Sequence, residues 1–242
     1  MEINDEAIIL SSRKYGENSG IVTAITKNHG LYKGLVKGIT STKQRGIYQQ
    51  GNIVELVWRA RLAEHLGNIS ASLLSTNLAL IMTNPTKLAA LSSICSILEL
   101  TIQEREAVSE IYFDLQQLLN NIKYNNYNWK KDYILLELKL LAQLGFGLDL
   151  SSCAANGSTQ NLAYISPKSG RAVSLEAGAP YANKLFNLPE FIISNSTNIS
   201  QQQIKEGLMI SGYFLEKYFF QPHNIKSPTS RIRFVEMAIN NV

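Results

Sequence analysis

Five short β-prone segments crowd into the first seventy residues, and that density most limits what this chain can fold into. Ala7 to Leu10 is apolar between polar flanks, Ile21 to Ile25 is rich in β-branched residues, and Gly30 to Gly38 alternates before the polar ITSTKQRG. Asn52 to Trp58 and His65 to Ile69 supply two more. Glycines fall at the bends, and short strands that can bend sharply suit a small barrel. In the third segment the alternation puts Lys33 and Lys37 on one face, roughly 13 Å apart at about 3.3 Å per residue. Tyr32 and Val36 take the opposite face as barrel filling, while Gly34 and Gly38 let the strand bend.

After Ala71 the pattern changes to helices. Pro85 suits a first helical turn ahead of TKLAALSSICSILELTIQE, where apolar residues recur at three- and four-residue steps. Glu106 to Ile122 repeats the habit, with Ile111, Leu115, Leu118, Leu119 and Ile122 on one side. NNIKYNNYN breaks the pattern, and WKKDYILLELKLLAQLGFG forms the most apolar helix, ending at a glycine pair suited to a C-terminal cap. Residues 147–195 have scattered glycine and proline and little periodicity, which predicts an irregular packed insertion. Ser200 reads as the N-cap of QQQIKEGLMISGYFLEKYFF, which Pro222 stops, and SPTSRIRFVEMAI closes the chain as another helix. The expected fold is α+β in two domains, a barrel at 1–75 and a helical domain at 76–242.

The 242 residues are 45% hydrophobic and 17% charged, enough to bury a substantial core. A net charge of +4 permits polyanion binding without demanding it, so the distribution matters more. Between Ser11 and Arg61 stand Arg13, Lys14, Lys27, Lys33, Lys37, Lys43, Arg45, Arg59 and Arg61, opposed only by Glu17 and Glu55. Within this stretch KGLVKGITSTKQRG invites a phosphate-loop reading. A P-loop, however, needs its lysine after the cradle glycine, as G-x-x-x-x-G-K-[ST], and here Lys37 precedes Gly38. Two readings remain. The lysines of the strand, continued by Lys43 and Arg45 in a mobile polar turn, either follow a sugar-phosphate backbone or are a solvated hairpin. Arg59 and Arg61 share a face if their strand continues. Tyr15, Tyr32, Tyr48 and Trp58 are the aromatics available for stacking on bases, and at least half of them belong in a barrel core.

Nothing proposes an enzyme. His29, His65 and His223 are isolated, Cys95 sits in an apolar helical stripe, no serine lies in G-x-S-x-G, and no paired carboxylates stand out. Two distant cysteines without a CxxC give no disulfide framework and suit a reducing compartment. The acidic N-terminus is unlike a secretory signal, and no apolar run is long enough for a membrane helix, so a cytoplasmic protein is expected.

AIILSSRKYGENSGIVTAITKNHGLYKGLVKG near the start and LGFGLDLSSCAANGSTQNLAYISPKSGRAVSLEAGAPY later, followed by LFNLPEF and a terminal SRIRF, resemble the bacterial RecO family of DNA repair and recombination proteins. The likeness runs in order over nearly the whole chain. It implies an N-terminal OB-fold barrel, a helical C-terminal domain and a non-enzymatic role. That role is binding single- and double-stranded DNA, annealing complementary strands, and helping RecA replace single-strand-binding protein, with RecR as partner. By resemblance, Lys33, Lys37, Lys43 and Arg45 fall in the basic barrel region; charge and strand parity add Arg13, Lys14, Arg59 and Arg61 as DNA-contact candidates. The family also implies that the helical domain receives the acidic, apolar tail of single-strand-binding protein, for which Lys130, Lys131 and Lys139 are candidates. Many relatives carry a four-cysteine zinc site in the irregular segment. Here Cys153 persists, but Asn156, Ser174 and Ala177 stand at the other three positions, so no metal or other cofactor is expected. Two further classes fit the same charge: an OB-type RNA-binding accessory protein and a protein-only adaptor.

Overall fold

The computed structural model describes residues 1–62, 64–126 and 128–240. Five strands, β1 (Glu2–Tyr15), β2 (Ser19–Thr26), β3 (Gly30–Lys37), β4 (Ile53–Arg59) and β5 (Asn68–Ser75), close into a barrel in the order β1-β2-β3-β5-β4. All pairs are antiparallel except β3–β5, joined at Leu35 and Asn68. One hydrogen-bonded row runs Arg13, Ile21, Leu35, Asn68, Arg59 and returns to β1 at Glu2. A displacement of that size along β1 tilts the strands steeply, as closing so few strands requires. With a helix between β3 and β4, this is the OB-fold.

The barrel interior holds Ala7, Ile9, Val22, Ala24, Tyr32, Val36, Val54, Leu56, Trp58 and Ile69. Lys33 and Lys37 do lie on the opposite face from Tyr32 and Val36; Gly34 lies within β3, and Gly38 begins the turn that follows it. A bulge between Ile9 and Ser11 flips the parity of β1, so that Ser12 and Lys14 continue the inward side and Arg13 and Tyr15 the outward side. The continuous apolar run AIIL has a reason: Ile8 and Leu10 face outward yet are fully buried, because a helix covers β1.

Three predicted boundaries differ. The first strand runs on to Tyr15, because the polar SSRKY pairs with β2 in a ladder that its outward polar residues do not oppose. The fifth strand spans Asn68–Ser75 rather than His65–Ile69, running past Ala71 where helices were expected to begin, and it follows a left-handed Gly67 whose added Cβ would clash with Trp58. The polar turn at Lys43 and Arg45 is instead a short helix, α1 (Thr42–Ile47), started by Ser41 accepting the Gln44 N–H. Its last residue Ile47 and its neighbours Ile39 and Tyr48 pack against the barrel core, which gives the helix the apolar anchor its polar residues lack.

The helices follow as α2 (Leu78–Ile81), α3 (Pro85–Thr101), α4 (Ser109–Lys123) and α5 (Trp129–Gln143). Asn84 caps α3 with Pro85 in its first turn, and α4 buries the predicted stripe of Ile111, Leu115, Leu118, Leu119 and Ile122. Residues 147–195 contain a small sheet, β6 (Leu162–Ile165), β7 (Ala172–Ser174) and β8 (Phe186–Asn187), with short helices α6 (Leu175–Gly178) and α7 (Glu190–Ile193). A capping box of Ser200 and Gln203 starts α8 (Gln201–Leu215), which continues through a π-helical turn to Phe220, and α9 (Thr229–Asn240) ends the described chain.

The chain packs as two compact units. The first is Met1–Asn126 with Pro228–Phe234, so α3 and α4 belong with the barrel. Their attachment is specific: the Tyr112 hydroxyl and Gln116 amide both donate to Glu6, at 2.7 and 3.1 Å. The second unit centres on Leu141, Ile165, Ile210, Phe214, Leu215 and Phe220. It also buries Glu137, which accepts hydrogen bonds from Tyr133 and Ser211.

Candidate nucleic-acid interface

The eight barrel cations divide according to what surrounds them. Lys33 lies on the outer face of β3, where its ammonium meets Glu104 at 3.0 Å. On the same face Glu99, at the end of α3, accepts from Ser11 and Thr23 through one carboxylate oxygen, at 3.0 and 3.1 Å, and from Arg13 through the other at 3.1 Å. Two carboxylates therefore already occupy the upper part of the β2–β3 surface. Arg59 makes a two-pronged pair with Glu2, both contacts 2.8 Å, and the strand ends there, so Arg61 stands in the following bend rather than beside it on a shared face.

The remaining cations gather around α1. An open cleft of about 790 Å³ is lined by Arg13, Lys14, Thr40, Arg45, Tyr48 and Gln50. On the other side of α1 a second depression of about 380 Å³ brings Lys37 beside Gln44, Asn68 and Ser70, again with Tyr48 at its floor. Lys43 is exposed on the helix between them. Lys14, Lys37, Lys43 and Arg45 make no ion pair among the described residues. Arg13 keeps three-quarters of its side chain exposed despite Glu99, with 74% accessible. One end of the barrel thus offers five cations, interleaved with amide and hydroxyl groups that can donate to phosphate oxygens.

Of the four aromatics, Tyr32, Tyr48 and Trp58 are buried and Tyr15 is 60% exposed. Trp58 donates its indole N–H to the carbonyls of Lys33 and Leu66, both at 3.0 Å. Arg105 lies over it at 5.1 Å and over Tyr32 at 5.9 Å. That arginine was not visible as a barrel residue in the sequence, and neither were Glu99 and Glu104. The one local hint was an acid, Glu99, inside the otherwise apolar ICSILEL.

Two family profiles match the chain, Recombination protein O N terminal over residues 1–77 and Recombination protein O C terminal over residues 82–227. The chain belongs to the RecO family. Full-length relatives named DNA repair protein RecO include those of Rickettsia rickettsii (strain Iowa), 39% identical over 241 residues and all of both chains, and Rickettsia akari (strain Hartford), 41% identical over 240 residues and 99% of both. The one from Rickettsia bellii (strain OSU 85-389) is 41% identical over 239 residues, 99% of this chain and 97% of its own.

The zinc site carried by many RecO proteins can be tested on the side chains present. The four positions do converge. The Cys153 sulfur accepts N–H groups from Ser174 at 3.2 Å and Ala155 at 3.4 Å, and the Ser174 hydroxyl accepts from Asn156 and from the Ala177 N–H, both at 3.4 Å. Hydrogen bonds from Ser174, side chain and backbone, draw the Cys153 thiol down to about 7. A thiol, an amide, a hydroxyl and a methyl do not fit a structural zinc, which needs four strong ligands. No other group of three or more His, Cys, Asp or Glu among the described residues could hold a metal. The other thiol, Cys95, is pushed well up by burial and by nearby Glu99, as an inert core residue.

Among the cations proposed for a partner's tail in the RecO helical domain, Lys130 and Lys131 meet backbone carbonyls. Lys130 donates to the Ala238 carbonyl at 3.3 Å, and burial lowers its pKa; Lys131 donates to the Ser196 carbonyl at 3.1 Å. Lys139 is exposed. Among the described residues, no helix is long and apolar enough to cross a membrane.

Proposed function

We propose that this RecO-family chain, whose role is in DNA repair and recombination, works by holding DNA against the end of its barrel formed around α1. The observation that carries this is the gathering of Lys14, Lys37, Lys43 and Arg45 at one end, while Glu99 compensates the neighbouring Arg13 and Glu104 compensates Lys33. These cations track phosphates and read no bases, so the surface accepts single and double strands alike. Annealing follows from the same physics: neutralised phosphates let two backbones approach, and the bases stay free to pair. No covalent step is needed, and the chain acts as a mediator rather than an enzyme.

With RecR, this activity helps load RecA on DNA coated by single-strand-binding protein, in the cytoplasm. Lys130, Lys131 and Lys139 are the cations offered to that protein's acidic tail. The insertion needs no zinc, because hydrogen bonds centred on Ser174 and Cys153 close the loops that the metal closes in relatives. The test is strand annealing with matched DNA and RNA oligonucleotides, with and without single-strand-binding protein. Faster annealing of DNA than of RNA, retained on coated strands, is expected. Equal activity on RNA would make it an RNA accessory protein, and no annealing would leave the adaptor reading.

A further inference from the structure

At the hairpin joining β1 to β2, the one exposed aromatic among the described barrel residues, Tyr15, stands directly beside the open cations. Tyr15 pairs with Ser19, and Ser19 with Lys37, in one row across three strands, which sets Tyr15 and Lys37 about 10 Å apart at the usual strand spacing. Lys14 stands next in sequence, on the cleft side. Among the described residues the Tyr15 side chain has no hydrogen bond, ion pair or ring contact, in contrast to buried Trp58 and Tyr32, which stack on each other edge to face.

An isolated exposed aromatic is ordinary on a protein surface. This one differs in the bracing of the backbone that carries it. Gly16 turns the chain at φ +69° just after it, the Ile39 N–H donates to the Asn18 carbonyl at 3.0 Å, and Thr40 donates to the Asn18 side chain at 3.4 Å. Gly20 seats the hairpin against Ile39, where an added Cβ would come within 2.7 Å. The tip is therefore braced to the segment that leads into α1. A tyrosine has few side-chain torsions to lose when a base stacks on it, and every base presents a flat face.

We propose that Tyr15 is a stacking platform for one unpaired base of a strand whose phosphates run over Lys14 and Lys37. The inference rests on the DNA-binding reading above and adds to it a means of telling unpaired from paired strands. The phosphate contacts are common to both forms, whereas a base in a duplex keeps its faces against its neighbours and cannot reach the ring. Tyr15 is then a single-strand selectivity determinant on a surface that otherwise accepts either form.

The test uses the full chain with a thymidine oligonucleotide, its abasic counterpart of equal length, and a duplex. Tyr15→Ala lowers thymidine-strand affinity roughly thirtyfold, the middle of the range for one stacked base. It changes duplex and abasic affinity less than twofold. Tyr15→Phe retains full affinity, and Tyr15→Trp gives a fluorescence signal quenched by the thymidine strand and not by the abasic one, read against Trp58 and Trp129, which are buried. Equal losses on all three ligands, or none on any, would overturn the platform while leaving the phosphate surface intact. Failure of the unmodified protein to bind any of the three would instead sink the DNA reading itself.

Discussion

Replacing Lys14 and Lys33 separately by alanine distinguishes the interface around α1 from the simple strand-face picture. Binding to a single strand releases about 0.7 counterions per phosphate neutralised. Four unpaired cations, Lys14, Lys37, Lys43 and Arg45, give a slope of log affinity against log salt of about −2.8. Over a fourfold rise in salt, from about 50 to 200 mM, affinity falls roughly fifty-fold. Lys14→Ala removes one phosphate contact and flattens the slope to about −2.1, which reduces the fall to roughly eighteen-fold. Lys33→Ala leaves the slope at about −2.8, because its ammonium is already compensated by Glu104 at 3.0 Å. Fluorescence anisotropy of a labelled thymidine strand, titrated at several salt concentrations, reads both slopes. If Lys33→Ala flattens the slope as much as Lys14→Ala, the screening by the α3 segment is wrong. If removing all four cations leaves the slope unchanged, so is the whole interface.

Four other outcomes follow from the same coordinates. Glu99→Gln keeps an acceptor for Ser11 and Thr23 but frees Arg13, so the slope in the same titration steepens by about 0.7. Gly30→Ala forces a side chain into φ +81° with its Cβ 1.9 Å from the Glu106 carbonyl oxygen, which destabilises the barrel unit by about 3 kcal/mol or more and shows as a large drop in melting temperature or as insoluble protein. For the insertion, a chelator leaves the melting temperature unchanged, Ser174→Ala lowers stability by about 1 kcal/mol through the lost cap and the lost Asn156 partner, and the triple change Asn156→Cys, Ser174→Cys, Ala177→Cys gains one zinc per chain by metal analysis. Asp5 is the acid-side determinant: burial works against its charge, but hydrogen bonds from His29 and Asn28 outweigh it and hold the carboxyl below its usual value of 3.8. A lowered folded pKa means that this stabilisation is complete above pH 4 and disappears as pH falls through the folded value. Thermal melts from pH 6 downward should therefore show a steeper acid decline for the unmodified protein than for Asp5→Asn.

Much of the fold was legible because local pattern and final environment agree. The alternation of β3, the stripe of α4 and the Ser200 cap each need only near neighbours, and each is found where the sequence puts it. The polar turn that proved to be α1 was misread for a physical reason. TKQRGI has a single apolar residue, Ile47, and most of its anchor comes from the flanking Ile39 and Tyr48 packed in the barrel core. The cations were all legible as charge, but their availability was not. Lys33 and Lys37 are identical by parity, and only the arrival of Glu104, some seventy residues along the chain, separates them.

By itself, then, the sequence determined the barrel-then-helix order, the cationic first third, the absence of a phosphate loop, and the departure from four cysteines. These rest on residue identity and on periods of two and 3.6, which are local properties. The tertiary structure decided which charges stay open, which aromatic stays outside, and how the cysteine-poor insertion closes. Each of those depends on groups distant in sequence meeting in space: Glu99 with Arg13, Glu104 with Lys33, Ser174 with Cys153. Electrostatic compensation and burial are set by such neighbours, and no local pattern in the chain announces them.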